Sequence, residues 1–148
     1  MKLTSRGDNV RRRIIGFELS ANKVQCIILN SLTYAAGKLW NVANYERRCW
    51  SYDSGIEYPD WFEQKKRLKD HYWYKSLPSQ TAQELLKQLH EAWQSYNKVK
   101  RTGGIINPQP PGYKQTGATI RYLNNGFIIK GGAIRLTIPK QQKEYLAK

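Results

Sequence analysis

The side chains that could carry out chemistry in this sequence are few, and their spacing does not favour catalysis. His71 and His90 have no Cys or carboxylate partner at metal-ligand spacing, so no zinc site is predicted. Glu84 and Glu91 would share one helical face, but such a pair beside Lys87 is typical of a solvated surface. The paired glycines fall in turn patterns and not in a phosphate-binding loop. We therefore predict no catalytic residue, metal ligand or cofactor site in this chain.

The chemistry that the sequence does favour is attraction of phosphate, because basic residues dominate its two ends. The net charge of the 148 residues is +14. Residues 1–17 hold five basic residues and one acidic (+4), residues 18–91 hold ten and nine (+1), and residues 92–148 hold ten and one (+9). Such a field attracts nucleic-acid backbones whatever their sequence. The alternative is a basic surface that is merely solvated.

The strongest element that the sequence predicts is a helix over residues 77–99. Pro78 suits its first turn, and Thr81 with Glu84 three residues later forms a capping-box pattern. Apolar side chains then recur at helical spacing: Ala82, Leu85, Leu86, Leu89, Trp93 and Tyr96. The polar residues of the opposite face are Gln83, Lys87, Gln88, Glu91 and Gln94. Lys98, Lys100 and Arg101 crowd the last turn before two glycines end the helix.

The remaining patterns place this helix in an α+β chain. Residues 1–10 read as a flexible leader and residues 14–19 as a short strand, and Ser20 would cap a long helix that reaches about Trp50. A shorter helix is predicted over residues 60–72, and a Pro- and Gly-rich loop over residues 102–117. Three strands joined by hairpin turns are predicted at residues 119–123, 127–130 and 133–138. The aromatic cluster at residues 71–75 fits either a core between helices or a base-stacking surface.

Composition also indicates the compartment. No apolar run approaches the roughly 20 residues of a membrane span, and the first residues show no apolar secretory signal. Cys26 and Cys49 would lie too far apart on the long helix to form a disulfide, and we expect both to be ordinary packing residues. A reducing, cytoplasmic location is therefore expected.

Six short motifs occur along the chain in a recognisable order. They are FEL at 17–19, AGKLWN at 36–41, LPSQ at 77–80, AW at 92–93, PGYK at 111–114 and IKGGAIRL at 129–136. This order resembles the N-terminal part of the TnpB (OrfB) nucleases of insertion sequences, which are relatives of the type V CRISPR effectors. The resemblance covers roughly residues 12–140. A departure is that Gln115, Thr116 and Gly117 replace the basic run that usually follows the proline loop.

The resemblance implies a helical recognition lobe inserted between the strands of a small, mostly antiparallel, barrel-like wedge module. Residues 1–19 would be the leader and first wedge strand, 20–101 the recognition lobe, and 102–148 the proline loop and remaining wedge strands. The implied partners are a guide RNA, the double-stranded DNA target with its flanking motif, and a nuclease half in trans, but no membrane. The family's RuvC-type carboxylates and zinc ribbon do not appear before Lys148. Magnesium and zinc are therefore expected only for that nuclease part, and the chain is expected to be a recognition fragment.

The resemblance also implies which residues contact nucleic acid. The entrance of the later helix would face the flanking DNA motif, which maps to Ser79 and Gln83, with Tyr58 at a comparable position. The other candidate contacts are Arg11, Arg12, Arg13, Lys38, Asn41, Lys98, Lys100, Arg101, Tyr113, Lys114, Arg121, Lys130 and Arg135. For the arginine triplet the alternative role is an edge guard against aggregation. The alternative functions are a standalone DNA-binding regulator derived from such a nuclease and a protein-interaction module with a Trp-rich helical face.

Overall fold

The computed structural model describes residues 14–146, and helices dominate this part of the chain. The helices are α1 (Lys23–Cys49), α2 (Trp61–Leu68), α3 (Tyr72–Lys75), α4 (Ser79–Thr102) and α5 (Lys140–Leu146). A 3-10 turn spans Tyr52–Ser54. Strands β1 (Phe127–Lys130) and β2 (Ala133–Leu136) form an antiparallel pair. The predicted α+β class is therefore confirmed, with a large helical part and a small sheet.

The long helix α1 begins at a capping box that was not predicted from the sequence. The Asn22 side chain accepts a hydrogen bond from the Gln25 backbone N–H at 2.9 Å, and the Gln25 side chain accepts one from the Asn22 N–H at 2.9 Å. The prediction that Ser20 caps this helix is therefore wrong, because Asn22 and Gln25 satisfy the first free N–H groups reciprocally. With 27 residues, α1 is about 40 Å long.

Helix α4 agrees with the predicted element at its C-terminal end and differs at its N-terminal end. It begins at Ser79 without a side-chain cap, and the Pro78 carbonyl accepts from the Ala82 N–H at 3.0 Å. The predicted capping box is wrong, since Thr81 lies inside the helix and is buried. The other end stops at Gly103, which has a positive φ of 68° and donates its N–H to the Val99 carbonyl.

The core lies where α1, α3 and α4 meet, with α2 packed on α4. The helical stripe predicted for α4 is confirmed, because all of its leucines are buried. The largest fully buried apolar side chains are Leu32, Leu39, Leu85, Leu86 and Leu89. Burying a side chain of this size stabilises a fold by about 1.5–3 kcal/mol. These five residues therefore supply much of the force that holds α1 against α4.

The chain that follows the proline loop crosses α1 at Gly37. A Cβ atom on Gly37 would lie only 2.9 Å from the Gly117 Cα, and the Ala118 N–H donates to the Thr33 carbonyl at 3.0 Å. Backbone therefore packs directly on backbone, and only glycine at position 37 leaves room for this contact. Ala118 is buried in the same crossing. This crossing fixes where the segment after the loop runs along the helices.

Two of the four predicted strands are absent from the part of the chain that the structure describes. Residues 14–19 run without strand pairing, and their side chains are exposed, Ile14 completely so. Residues 119–123 are not a strand either, because their backbone pairs with no other described strand, and their side chains contact other elements. Ile120 packs against the core, Arg121 lies 3.7 Å from Glu84, and the Tyr122 hydroxyl donates to the Thr137 carbonyl.

The predicted hairpin is confirmed, although its second strand is shorter than expected. Phe127 pairs with Leu136 and Lys130 with Ala133, and the strand ends there instead of at residue 138. The turn residues Gly131 and Gly132 both have positive φ angles, 58° and 73°, which a two-residue turn of this kind requires. The helix predicted over residues 60–72 is shorter than expected, because α2 ends at Leu68 and α3 begins only at Tyr72, the last residue of the predicted helix.

Two expectations about side chains also need correction. Cys26 and Cys49 both lie on α1 as free thiols, but both are exposed, so the prediction that they are packing residues is wrong. In the aromatic cluster, Tyr74 is buried in the core and Trp73 is half-buried, whereas Tyr72 is exposed. Only part of that cluster therefore belongs to the core.

Among residues 14–146, no helix is both long enough and apolar enough to cross a membrane.

Candidate nucleic-acid interface

The proline loop, residues 102–117, is fastened to α1 by polar side chains. The Asn41 amide donates to the Lys114 carbonyl at 2.8 Å and accepts from the Lys114 N–H at 2.7 Å. From the preceding residue of α1, the Trp40 indole N–H donates to the Gly112 carbonyl at 2.9 Å. These bonds join residues more than 70 positions apart, and they hold the PGYK motif in one place on the helix.

Asn44 joins the loop to both long helices. Its side chain is fully buried, and its amide donates to the Pro111 carbonyl at 2.8 Å. Its oxygen accepts a hydrogen bond from the Trp93 indole N–H of α4 at 2.8 Å. Arg48 also donates to the Pro111 carbonyl, at 2.7 Å from Nη2. A single buried amide therefore connects three parts of the chain.

A groove of about 600 Å³ opens between the last turns of α4 and this loop. Three aromatic rings line it, from Trp40, Tyr96 and Tyr113. Each ring has a cation near its face, and the distances to the centroid are 4.8 Å for Lys114 over Trp40, 5.9 Å for Lys100 over Tyr96 and 5.0 Å for Arg48 over Tyr113. Among residues 14–146, no acidic residue lines this space, which we call the ring–cation groove.

The basic residues around this groove are free to bind anions. Within residues 14–146, no carboxylate lies within salt-bridge distance of Lys98, Lys100, Arg101 or Lys114. Three of them occupy the C-terminal turns of α4, where the helix dipole stabilises positive charge. A phosphate group approaching here would meet several cations and no competing carboxylate. Aromatic rings beside such cations are typical of surfaces that bind single-stranded nucleic acid.

The structure brings together only part of the predicted contact set. Lys100, Tyr113 and Lys114 lie at the ring–cation groove, and Lys98 and Arg101 lie in the adjoining turns of α4. The Asn41 side chain is near the groove, but both ends of its amide already bond to the loop backbone. Its placement indicates that it positions the loop.

The other predicted contacts are dispersed. Lys38 lies on α1 with its ammonium 5.1 Å from the Tyr34 ring centroid, Arg121 pairs with Glu84, and Lys130 and Arg135 are exposed on the hairpin. Arg11, Arg12 and Arg13 lie outside the described residues. Ser79 is exposed at the start of α4, as predicted.

Gln83 is half-buried, so it is less exposed than a position on the polar face of α4 predicts. It lies beside the Tyr74 hydroxyl, where burial raises the pKa of Tyr74 and Gln83 partly offsets that rise. Tyr58 is also engaged, since its hydroxyl accepts from Arg47 at 3.2 Å and its ring packs edge-on against Trp50.

Three groove residues were not predicted from the sequence: Trp40, Arg48 and Tyr96. Trp40 and Arg48 fall outside the apolar stripe of α1, which runs through Leu32 and Leu39, and Tyr96 is predicted only as a packing residue. The signal in the sequence is a second stripe on α1, formed by the adjacent positions 40 and 41 and then by 44 and 48. The steps from 41 to 44 and from 44 to 48 are three and four residues, which is helical spacing. A stripe of this spacing with amide and aromatic side chains indicates a helix face that binds another part of the chain.

A second polar cluster surrounds Arg47, which is only 3% exposed. Its Nε donates to the Gln64 side-chain oxygen at 2.7 Å, and its Nη1 lies 3.3 Å from the His90 Nδ1. Burial lowers the pKa of Arg47, while the Tyr58 hydroxyl and nearby carboxylates oppose this effect. Burial also lowers the pKa of His90, and the charge of Arg47 lowers it further, against Asp60 and Glu91. His90 is therefore held neutral as an acceptor for Arg47.

Acidification is expected to destabilise the fold through His90. Because its pKa is lowered in the folded state, His90 binds fewer protons there than in the unfolded chain. This contribution to stability is complete above about pH 6.5, the pKa of an unperturbed His, and is lost as the pH falls towards the lower folded value. Urea unfolding measured between about pH 8 and pH 5 would report it. The His90→Gln variant keeps an acceptor but cannot titrate, so its stability should fall less; an equal fall would contradict the prediction.

Comparisons with protein-family models, with curated proteins and with solved structures find no match to this chain. Within the described residues, no group of three or more His, Cys, Asp or Glu side chains is arranged to hold a metal ion. The geometry of the groove and the motifs of the sequence are therefore the features that indicate function.

Proposed function

We propose that this chain is the nucleic-acid-recognition part of a transposon-associated, RNA-guided DNA endonuclease of the TnpB type. It binds the guide RNA, the heteroduplex and the DNA motif beside the target, and it has no cleavage chemistry of its own. The observation that carries the proposal is the ring–cation groove, in which each of three aromatic rings has a cation near its face.

The groove suits RNA for two physical reasons. Stacking of a base on an aromatic side chain stabilises a complex by about 1–3 kcal/mol, and it tolerates any sequence. Tyr113 is 47% exposed and therefore accessible to a base. Lys98 and Arg101 continue the basic surface beyond the groove, where the phosphates of a bound strand would lie. Stacking and phosphate binding together distinguish this surface from one that is only basic.

In this proposal, residues 14–19 and the β1–β2 hairpin belong to a barrel-like wedge that is completed when the partners bind. Two observations support it. Ile15 and Phe17 are exposed on an extended segment, at 79% and 66%, and Ile128 and Ile129 are exposed on the hairpin. A two-stranded hairpin is marginally stable by itself, and exposed apolar edges favour pairing with another strand. Within residues 14–146, no third strand pairs with this hairpin.

The remaining parts of the proposal follow from the same family resemblance. Ser79 and Gln83 face the DNA motif beside the target, and a nuclease half supplies the magnesium and zinc chemistry. The complex works in the cytoplasm at the nucleoid. Ser79 is accessible for this role, whereas Gln83 must move away from Tyr74 to reach a base.

Substitution of Tyr113 by Ala is expected to weaken RNA binding about 5- to 100-fold, because one stacking surface is lost. Fluorescence titration with a structured RNA that carries a single-stranded tail would measure this change. Tyr52→Ala is the matched control, since Tyr52 is exposed but lies outside the groove, and its affinity should be unchanged. Equal affinity of both variants and the wild type would contradict the assignment of the groove.

The same titration distinguishes the alternatives. Binding to duplex DNA but not to RNA would favour the standalone regulator, and binding to neither would favour the protein-interaction module.

Hydrogen exchange on the RNA complex tests the wedge. Amides of residues 14–19 should become protected as the wedge forms, and unchanged exchange in a saturated complex would argue against it.

A further inference from the structure

A second cavity, of about 430 Å³, lies between α4 and the chain at residues 114–121. Trp40 and Lys114 line both this cavity and the ring–cation groove, so the two spaces adjoin along α4. The lining residues also include Gln88, Glu91 and Arg121. Trp40 and Lys114 belong to two of the sequence motifs, whereas Gln88 belongs to none of them. A strand bound in the groove would reach it after passing Lys114.

The Gln88 side chain has an unmet hydrogen-bonding group at this cavity. Its amide nitrogen is buried, and it has no hydrogen-bond partner among residues 14–146. A buried donor without a partner is unfavourable, and native proteins rarely leave one without a reason. Gln88 projects from α4 among residues that do form polar contacts. One of them is Glu84, whose Oε1 lies 3.7 Å from Nη1 of Arg121. Gln88 itself lines the cavity, and rotation of its terminal amide would present this donor to an incoming acceptor atom.

The surroundings of Gln88 indicate what kind of molecule carries that acceptor. Glu91 offers a hydrogen-bond acceptor one turn further along α4, and Lys114 and Arg121 offer positive charge. The base of a nucleotide presents donors and acceptors side by side, and the phosphate of the nucleotide is an anion. The base must be unpaired, because pairing would occupy the edge that Gln88 and Glu91 could reach. A cavity of about 430 Å³ is also too small to hold a duplex.

We propose that this cavity binds an unpaired base of the RNA that occupies the ring–cation groove, with the Gln88 amide as donor to an acceptor on the base edge. This inference depends on the proposed function, and it adds a site of base selection to a surface that otherwise binds without regard to sequence. Trp40, which lines both spaces, lies between the stacking rings and this pocket. Gln88 thereby determines which base is accepted.

The test compares the affinities of the purified chain for single-stranded oligo-A, oligo-C and oligo-U. The wild type is expected to prefer one of them by about 5- to 100-fold, which is the range for a good contact to a base edge. The Gln88→Ala and Gln88→Met variants should bind all three with nearly equal affinity, and Met preserves the size of the side chain. Gln94→Ala is the control, because Gln94 is exposed on the same helix and should leave the preference intact.

The outcomes separate this inference from the proposed function. If the wild type binds RNA without a base preference, or if Gln88→Met keeps the wild-type preference, the role of Gln88 is overturned while RNA binding stands. If the wild type binds no RNA, both are overturned. Circular dichroism of each variant would show whether a loss of preference arises from unfolding, and the Met variant is expected to fold as the wild type does.

Discussion

Replacing Asn44 by Ala is expected to lower the free energy of unfolding by about 2–4 kcal/mol, because the Trp93 indole N–H loses its acceptor in a buried site and a small cavity remains. Asn44 is fully buried and bonds to Trp93 and Pro111. The loop should also become more mobile, since one of its hydrogen bonds to α1 is lost. Urea unfolding, with the midpoint and slope fitted together, measures the change in stability.

A double-mutant cycle identifies the cause of this loss. Trp93→Phe removes the indole N–H, so adding Asn44→Ala to it should cost less than Asn44→Ala costs in the wild type. The expected coupling is about 0.5–3 kcal/mol. Asn41→Ala is a useful control, since Asn41 is only half-buried and bonds to the Lys114 backbone alone. Strictly additive effects of Asn44→Ala and Trp93→Phe would contradict the role assigned to the shared amide.

RNA affinity is expected to fall about 100-fold when monovalent salt rises from about 50 to 200 mM, if about five cations neutralise phosphates of a single strand. The five that surround the ring–cation groove are Arg48, Lys98, Lys100, Arg101 and Lys114. Each contact with a single strand contributes about 0.7 to the slope of log affinity against log salt. An affinity that is constant over this range would show that phosphate contacts are not the main source of binding.

A charge-matched pair of variants locates these contacts. Changing Lys98, Lys100 and Arg101 to Gln should reduce the slope by about 2, because three phosphate contacts are lost. Changing Lys65, Lys66 and Lys69 to Gln removes the same charge from and just after α2, away from the groove. This second variant should keep nearly the wild-type slope. Equal slopes in the two variants would indicate binding by net charge alone.

The helices could be predicted from the sequence because their apolar residues recur at helical spacing. Leu85, Leu86 and Leu89 mark α4 and are all buried, and Leu32 and Leu39 mark α1 in the same way. Gly103 also ends α4 as its position indicates. These features depend on residues within a few turns of each other, which is the range over which a sequence pattern carries information.

The strands and the groove depended on contacts that a local pattern does not contain. Residues 14–19 are rich in strand-forming residues, yet such residues form a strand only against a suitable neighbour. Asn44 and Arg47 are polar but buried, because their partners come from distant parts of the chain. Tyr113 was chosen through the family resemblance, and the cations near the rings became visible only when the loop lay on α1.

The hydrogen bonds between α1 and the proline loop can form only late in the synthesis of the chain. Asn44 precedes its loop partner Pro111 by 67 residues. A ribosome adds about 5–20 residues per second, so Asn44 is made roughly 3–13 seconds before Pro111. Throughout this interval the loop-binding face of α1 has no loop to bind. Its asparagines can be hydrated during this interval. This face is therefore less prone to nonspecific association than an apolar one, until the residues that cover it have been synthesised.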